Sequence, residues 1–558
     1  MTLASEIVAR RMRLPVPRSV DVVRERDLGV EMDDGAMLLA DRLVAREDAD
    51  RPRPTVLVRS PYGRGGMIGL VLGRLLAERG FQVVLQSVRG TFGSGGRFSP
   101  FDERADGLAT LRWLRAQRWH AGPVGTIGPS YLGLVQWAIA SGEPDGLAAM
   151  SIHASASQFH GSTYVGGGLA LENAAVWLAV IEAQEQRLGP LAIGRALRRL
   201  PAALAKLPLA ELDRAAIGAS VAWFQDALPK LARDDPYWAA RDFEAAVPSV
   251  TAAVQFVGGW YDILLPWMVA DFEALQAAGR NPQIVIGPWA HTSPGLLSAG
   301  TREGIAWLRA HLLGDRRLLD PAPVRLNVTG AGGGWRALER WPPPTRELRL
   351  HAAGGGALVE LAQDGGGALV RFPQDGGGDR YRYDPADPTP SMGGAVLLSR
   401  EPVVDNGPLE ARADVLTYTG PALERTVEAI GHPSVELWVR ASRPHFDLFA
   451  RLCEVDEHGV SRNVTDALQR VSPEAVAASE DGSLRVRFRL WPIGHRFAAG
   501  HRIRLQVSSG AHPRYARNPG TGGDPMAATL KSMRAVEIEL LHDRAHPSAV
   551  VLPICADG

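Results

Sequence analysis

The chain has 558 residues, 46% of them hydrophobic and 22% charged, a composition that buries a large core without staples and prefigures roughly two to four domains. Its 61 basic and 61 acidic residues cancel, which argues against a nucleic-acid or membrane-surface protein, and no run of about 20 apolar residues predicts a membrane span. The two cysteines, Cys453 and Cys555, make no Cys-x-x-Cys pair, so a zinc ribbon or redox motif is unsupported. The N-terminus is broken by charges and lacks a signal-peptide core, and the expected location is cytoplasmic.

Residues 37–45 and 55–58 are short, mainly apolar runs, as strands buried on both faces should be. Residues 68–78 have helical spacing, and Gly80 is placed to stop that helix. A buried strand is predicted at 81–85. A helix at 107–117 follows, with Leu108, Leu111 and Leu114 on one side. Residues 124–127 predict a strand, 132–140 a helix after a sharp turn, and 147–152 a further strand. This βαβα order predicts a mostly parallel sheet covered on both faces. From about 166 to 238 the chain reads as helical, and strands return at 250–257 and 283–286. An interruption of about 80 to 90 residues is far longer than a connecting loop and predicts a helical insertion within the α/β domain. After about 321 Gly and Pro become frequent, and short strand-like runs occur at 435–439, 448–453, 484–490, 503–507 and 535–541. These predict a β-sandwich, of jelly-roll type. The Gly triplets at 354–356, 365–367 and 376–378 are expected at hairpin tips. The expected organisation is an α/β domain at 20–155 and 247–320, a helical insertion at 156–246, and a β domain at 321–558.

The turn Gly128-Pro-Ser-Tyr-Leu-Gly133 joins a predicted strand to a predicted helix, the context a nucleophile elbow requires. Ser130 would stand on a tight, strained turn with its hydroxyl above the sheet edge. The usual pattern has Gly two residues after the Ser; here Leu132 takes that place and Gly133 follows. Taken alone, the string also describes an ordinary tight βα turn. A hydroxyl nucleophile needs a base, and the base an orienting carboxylate. Two later strand ends supply these in the hydrolase order: Gly258-Gly-Trp-Tyr-Asp262 and Gly287-Pro-Trp-Ala-His291. Residues just past the carboxyl ends of parallel strands converge on one crevice. A lone Asp there is usually a turn former, and a lone His a loop residue. Three such residues at matching strand ends are hard to attribute to chance. The Tyr131 N–H, next to the nucleophile, is one candidate oxyanion donor. Tyr62, in Ser60-Pro-Tyr-Gly-Arg64 after an early strand, is a second, although by spacing alone it reads as an aromatic covering the sheet edge.

Together these residues resemble the cocaine-esterase and X-prolyl dipeptidyl-peptidase group of α/β hydrolases. The resemblance is carried by Arg59-Ser-Pro-Tyr62, Arg89-Gly-Thr-Phe-Gly-Ser-Gly-Gly96, Gly128-Pro-Ser-Tyr-Leu-Gly133, Gly259-Trp-Tyr-Asp262 and Gly287-Pro-Trp-Ala-His291. It continues through Tyr383-Asp-Pro-Ala-Asp-Pro388, Asp414-Val-Leu416, Phe497-Ala-Ala-Gly-His-Arg502 and Asn518. It implies an α/β-hydrolase domain with an inserted helical cap and a C-terminal jelly roll. It also implies a triad of Ser130, Asp262 and His291, an oxyanion hole of the Tyr62 hydroxyl and the Tyr131 N–H, and ester or amide hydrolysis through an acyl-enzyme without metal or organic cofactor. Ser87 stands where the group usually carries Asp, and Gly95 where an acidic residue is common; both positions read as structural.

The expected activity is therefore carboxyl-ester hydrolysis on a small-molecule ester. A peptidase releasing X-Pro dipeptides, or an amino-acid ester or amide hydrolase, would also have to grip a substrate α-ammonium. Glu172, Glu182 and Glu185 in the cap could do so, although charged helix residues normally face solvent. A non-catalytic binding protein on a hydrolase scaffold is the third reading, since fold does not fix function. Acyl and leaving groups, and the oligomeric state (a homodimer included), are left open.

Overall fold

The computed structural model describes residues 2–360, 377–399 and 401–555. The chain folds into two compact units: Met1–His160, Val180–Gly194 and Ala222–Arg325 form the first, and Gly161–Ala179, Arg195–Val221 and Leu326–Gly558 the second. The helical insertion is thus divided between them.

The first unit is built on a twisted sheet of β1 (Val22–Glu31), β2 (Met37–Ala45), β3 (Arg53–Ser60), β4 (Gln82–Ser87), β5 (His120–Pro129), β6 (Leu147–His153), β7 (Ala253–Tyr261) and β8 (Gln283–Ala290). Their spatial order is β1-β2-β4-β3-β5-β6-β7-β8, antiparallel from β1 through β4 and parallel from there on. The apolar runs mark strands covered on both faces; all of β4 is buried. The covering helices are α1 (Arg104–Arg115), α2 (Tyr131–Ala140), α5 (Leu265–Ala277) and α6 (Pro294–Leu312); α3 (Leu171–Ala183) and α4 (Gly189–Leu204) belong to the insertion and are each divided between the two units. Every residue of α2 is buried, as its continuous apolar sequence demands. The expected helix before Gly80 spans 66–77, its middle six residues wound as a π-helix, and Gly80 ends it at φ 92°.

The two ends of the inserted region are tied together at Ser157. The Phe243 N–H donates to the Ser157 carbonyl (3.0 Å), and Ser157 donates its own N–H and hydroxyl to the Asp271 carboxyl on α5 (2.7 and 2.6 Å).

The second unit is mostly antiparallel sheet. Phe446–Val455 lies between Ser461–Val471 and Arg502–Ser508, and Ser434–Ala441 pairs with Leu484–Arg489, Val536–Leu541 and Ala549–Cys555. Of the Gly triplets, 354–356 does turn a hairpin, between Thr345–Ala353 and Ala357–Glu360. The triplet at 365–367 lies outside the described residues. Gly378 opens the strand Gly378–Tyr383 rather than sitting at a tip, because its backbone pairs with Leu541.

Candidate active site

Strand β5 delivers Ser130 to its carboxyl end and α2 begins at the next residue, so the serine must turn the chain between them. It does so at φ 56°, ψ −125°, a backbone conformation that costs a non-glycine residue about 1–3 kcal/mol. The turn is held by the Ser130 N–H donating to the His153 carbonyl (2.9 Å) and the Gly133 N–H donating to the Ser130 carbonyl (2.8 Å). Glycine is needed at 133 for closeness. A Cβ there would stand 2.3 Å from the Ser155 Cβ, so the displaced glycine of the motif is where α2 touches the chain leaving β6.

Beneath the elbow lies a buried polar ladder. Ser151 donates to the Gln255 side-chain oxygen (3.1 Å), so its own oxygen accepts from Nε2 of His153 (2.9 Å). Burial lowers the His153 pKa to about 3, so this ring is neutral and supports the turn whose N–H its carbonyl receives. Neither the ladder nor the role of His153 was foreseen from the sequence. An apolar strand ending in His carries no signal that distinguishes it from a surface histidine.

Asp262 and His291 follow β7 and β8, two adjacent parallel strands. Asp262 is fully buried. One carboxylate oxygen accepts the Leu264 N–H (2.7 Å), fixing the side chain to its own turn. The other lies 2.7 Å from Nδ1 of His291, leaving Nε2 as the ring's proton-accepting face. The His291 loop is shaped by Trp289. A Cβ on Gly259 would sit 2.1 Å from the Trp289 carbonyl, and one on Gly287 2.6 Å from its indole. These glycines let the pairing of β8 with β7 shift register between Gly287 and Ala290, which aims the chain after β8 at Asp262. The structure thus brings Asp262 and His291 together, at the same sheet edge as Ser130.

Tyr62 follows β3 at that edge; its N–H donates to the Ser60 hydroxyl (3.0 Å), closing the turn that presents it. Tyr131 is the first residue of α2, so its N–H belongs to the helix's N-terminal end, beside Ser130. Its ring is buried between Phe98 and Phe101 (ring centroids 6.3 and 5.5 Å away). Its phenol donates to Glu103 (2.6 Å). Burial raises the Glu103 carboxyl, opposed by Arg59 beside it, and burial with the Glu103 charge raises the Tyr131 phenol well above its ordinary value.

Phe98 also borders a cleft of about 610 Å³, walled on one side by residues 97–100 and on the other by Trp223, Tyr237 and Arg241 of the insertion. Of the three cap carboxylates, Glu182 accepts the Trp223 indole N–H (2.8 Å) and Glu185 the Phe92 N–H (2.8 Å). Glu172, expected to face solvent, is half-buried; desolvation raises its pKa and Arg514 opposes the rise. At the two family departures, Ser87 accepts from Arg64 (2.6 Å), and a Cβ at Gly95 would lie 3.2 Å from the Met37 carbonyl. Both are packing positions. Among the described residues no group of three or more His, Cys, Asp or Glu is placed to hold a metal, and no helix is long and apolar enough to cross a membrane.

Fold and sequence relationships define a serine hydrolase of the α/β-hydrolase type. Residues 34–293 match the family model of the X-Pro dipeptidyl-peptidase (S15 family), and residues 319–551 that of the X-Pro dipeptidyl-peptidase C-terminal non-catalytic domain. The chain is 31% identical over 569 residues to the cocaine esterase of Rhodococcus sp. (strain MB1 Bresler), spanning 94% of this chain and 97% of that one. The chain belongs to the S15 family, with cocaine esterase among its relatives. Its fold is shared with an α-amino acid ester hydrolase and with an aminopeptidase from a marine sediment Thaumarchaeota archaeon. Each has a TM-score of 0.78 at 21% identity, over 97% of this chain and 98% of theirs.

Proposed function

We propose that this serine hydrolase cleaves carboxyl esters of small molecules through an acyl-enzyme formed on Ser130. The observation that carries the reading is the 2.7 Å contact between buried Asp262 and Nδ1 of His291, at the sheet edge where the strained Ser130 turn stands. Nε2 of His291 takes the Ser130 proton as the hydroxyl attacks the ester carbonyl. Asp262 holds the tautomer and stabilises the imidazolium. The Tyr62 phenol and the Tyr131 N–H receive the negative charge that develops on the carbonyl oxygen. The imidazolium then protonates the departing alkoxide, and water, deprotonated by the same ring, releases the acid. A fluorophosphonate probe tests the assignment: it should label Ser130 in the folded chain, and Ser130→Ala should lose labelling and p-nitrophenyl ester hydrolysis together. Labelling elsewhere with activity retained would sink it.

Action on X-Pro peptides or amino-acid esters requires a carboxylate that captures an α-ammonium. Glu182 and Glu185 are already committed to an indole and a backbone N–H, and Glu172 is faced by a guanidinium. This favours the simple ester. Parallel assays on p-nitrophenyl esters and Ala-Pro-p-nitroanilide separate the readings, and dominant anilide cleavage would reverse the ranking. Both cysteines are free thiols, Cys453 buried, which suits a reducing compartment, and we assign the protein to the cytoplasm.

A further inference from the structure

We propose that Arg59, Glu103 and the Tyr131 phenol form a buried brace that holds the two oxyanion donors at a fixed spacing, and that Arg59 and Glu103 are positioning residues of the hydrolase. The inference rests on the reading of Tyr62 and Tyr131 as those donors. The three side chains are between 1% and 3% exposed. The Tyr131 phenol donates to one oxygen of Glu103 (2.6 Å) and accepts the Phe101 N–H (2.9 Å). The other Glu103 oxygen is 2.8 Å from Nη1 of Arg59. Arg59 is locked in turn: Nη1 donates to the Glu103 carbonyl (3.1 Å) and Nε to Gln86 on β4 (2.7 Å).

The connectivity carries the argument. Arg59 belongs to the last turn of pairing in β3, three residues before Tyr62, and Tyr131 follows Ser130 directly. The two donors therefore hang from strands β3 and β5, and one carboxylate ties both attachments together. A buried ion pair is weak evidence for stability, since well-packed apolar side chains of similar volume often do as well. What it supplies is direction: a short contact between two buried groups, each held by further hydrogen bonds, favours one arrangement of its partners. Oxyanion stabilisation needs that. The donors must meet the charge where it develops, and a displacement of about 1 Å costs roughly 10²-fold in rate.

Tyr131→Phe is the direct test, because it keeps the ring that packs on Phe98 and Phe101 and removes only the oxygen. Active sites are first titrated with a fluorophosphonate. Per titrated site, kcat on a p-nitrophenyl ester should fall about 10- to 100-fold with KM within about threefold, and the rate of phosphonylation should fall in parallel. Glu103→Gln, which can still accept from the phenol, should recover most of the activity that Glu103→Ala loses. Wild-type kcat per titrated site in Tyr131→Phe, with only the number of sites reduced, would show a folding role alone and overturn the brace. Ser130→Ala separates the layers. Activity surviving in it overturns the serine assignment and the brace with it, whereas an inert Ser130→Ala beside a fully active Tyr131→Phe overturns the brace alone.

Discussion

Asp262 divides its carboxylate between two tasks: one oxygen receives the Leu264 N–H at 2.7 Å and the other meets Nδ1 of His291 at 2.7 Å. The side chain is thereby fixed before the histidine is, so the pair acts as a unit. Asp262→Asn keeps the shape but turns a donor amide or neutral oxygen toward the ring and favours the wrong tautomer. We expect kcat to fall by about 10⁴-fold with the melting temperature nearly unchanged. Steady-state ester kinetics beside a thermal melt check this; a loss below tenfold would remove Asp262 from the catalytic group.

Tyr62 is presented by a turn closed on Ser60. If its hydroxyl meets the oxyanion, Tyr62→Phe removes one donor from the transition state and nothing from the ground state. We expect kcat and kcat/KM to fall together by about 10²–10³-fold. A rise in KM at constant kcat would instead assign Tyr62 to substrate binding.

The backbone strain at Ser130 makes a stability prediction independent of activity. At φ 56° and ψ −125° a Cβ is disfavoured, and glycine adopts the region freely. Ser130→Gly should be more stable to heat than Ser130→Ala by about 1 kcal/mol or more, whatever their activity. Equal melting temperatures would mean that the turn stores no strain.

Asp271 is the anchor of the inserted region, and burial pushes its pKa from 3.8 up to about 8, with Ser157 opposing the rise and Glu244 and Asp242 adding to it. The sign follows from linkage. Between about pH 4 and about pH 8 the folded chain keeps a proton that the unfolded chain has lost, so folding becomes less favourable as pH rises through that window, and levels off above it. Asp271→Asn cannot titrate. The melting temperature of the wild type should therefore decline relative to that of the variant from about pH 4 to about pH 8; parallel curves would show that Asp271 is ionised in the fold.

Local structure is legible in the sequence because each signal is set by a few neighbouring residues. Strand β2 at Met37–Ala45 coincides with its apolar run, and the strand–turn–helix around Ser130 has its expected order, with α2 beginning one residue earlier, at Tyr131. Strand β5 is longer than the expected 124–127, because His120–Pro129 includes residues held by pairing with β3 and β6 rather than by their own propensity.

By itself, the sequence determined which residues stand at the carboxyl ends of β5, β7 and β8, because strand periodicity and the turn residues that stop it are local properties. The tertiary structure alone decided what surrounds them. Glu103 could be read only as one more charge before a helix; folding places it between Arg59 and Tyr131, 44 residues and 28 residues away in the chain. Glu172 reads as a solvent-facing helix residue and is half-buried near Arg514. His153 reads as a strand end and is the neutral support of the Ser130 turn. In each case the deciding quantity is desolvation, and water is removed by whatever arrives from distant parts of the chain, which no short stretch of sequence encodes.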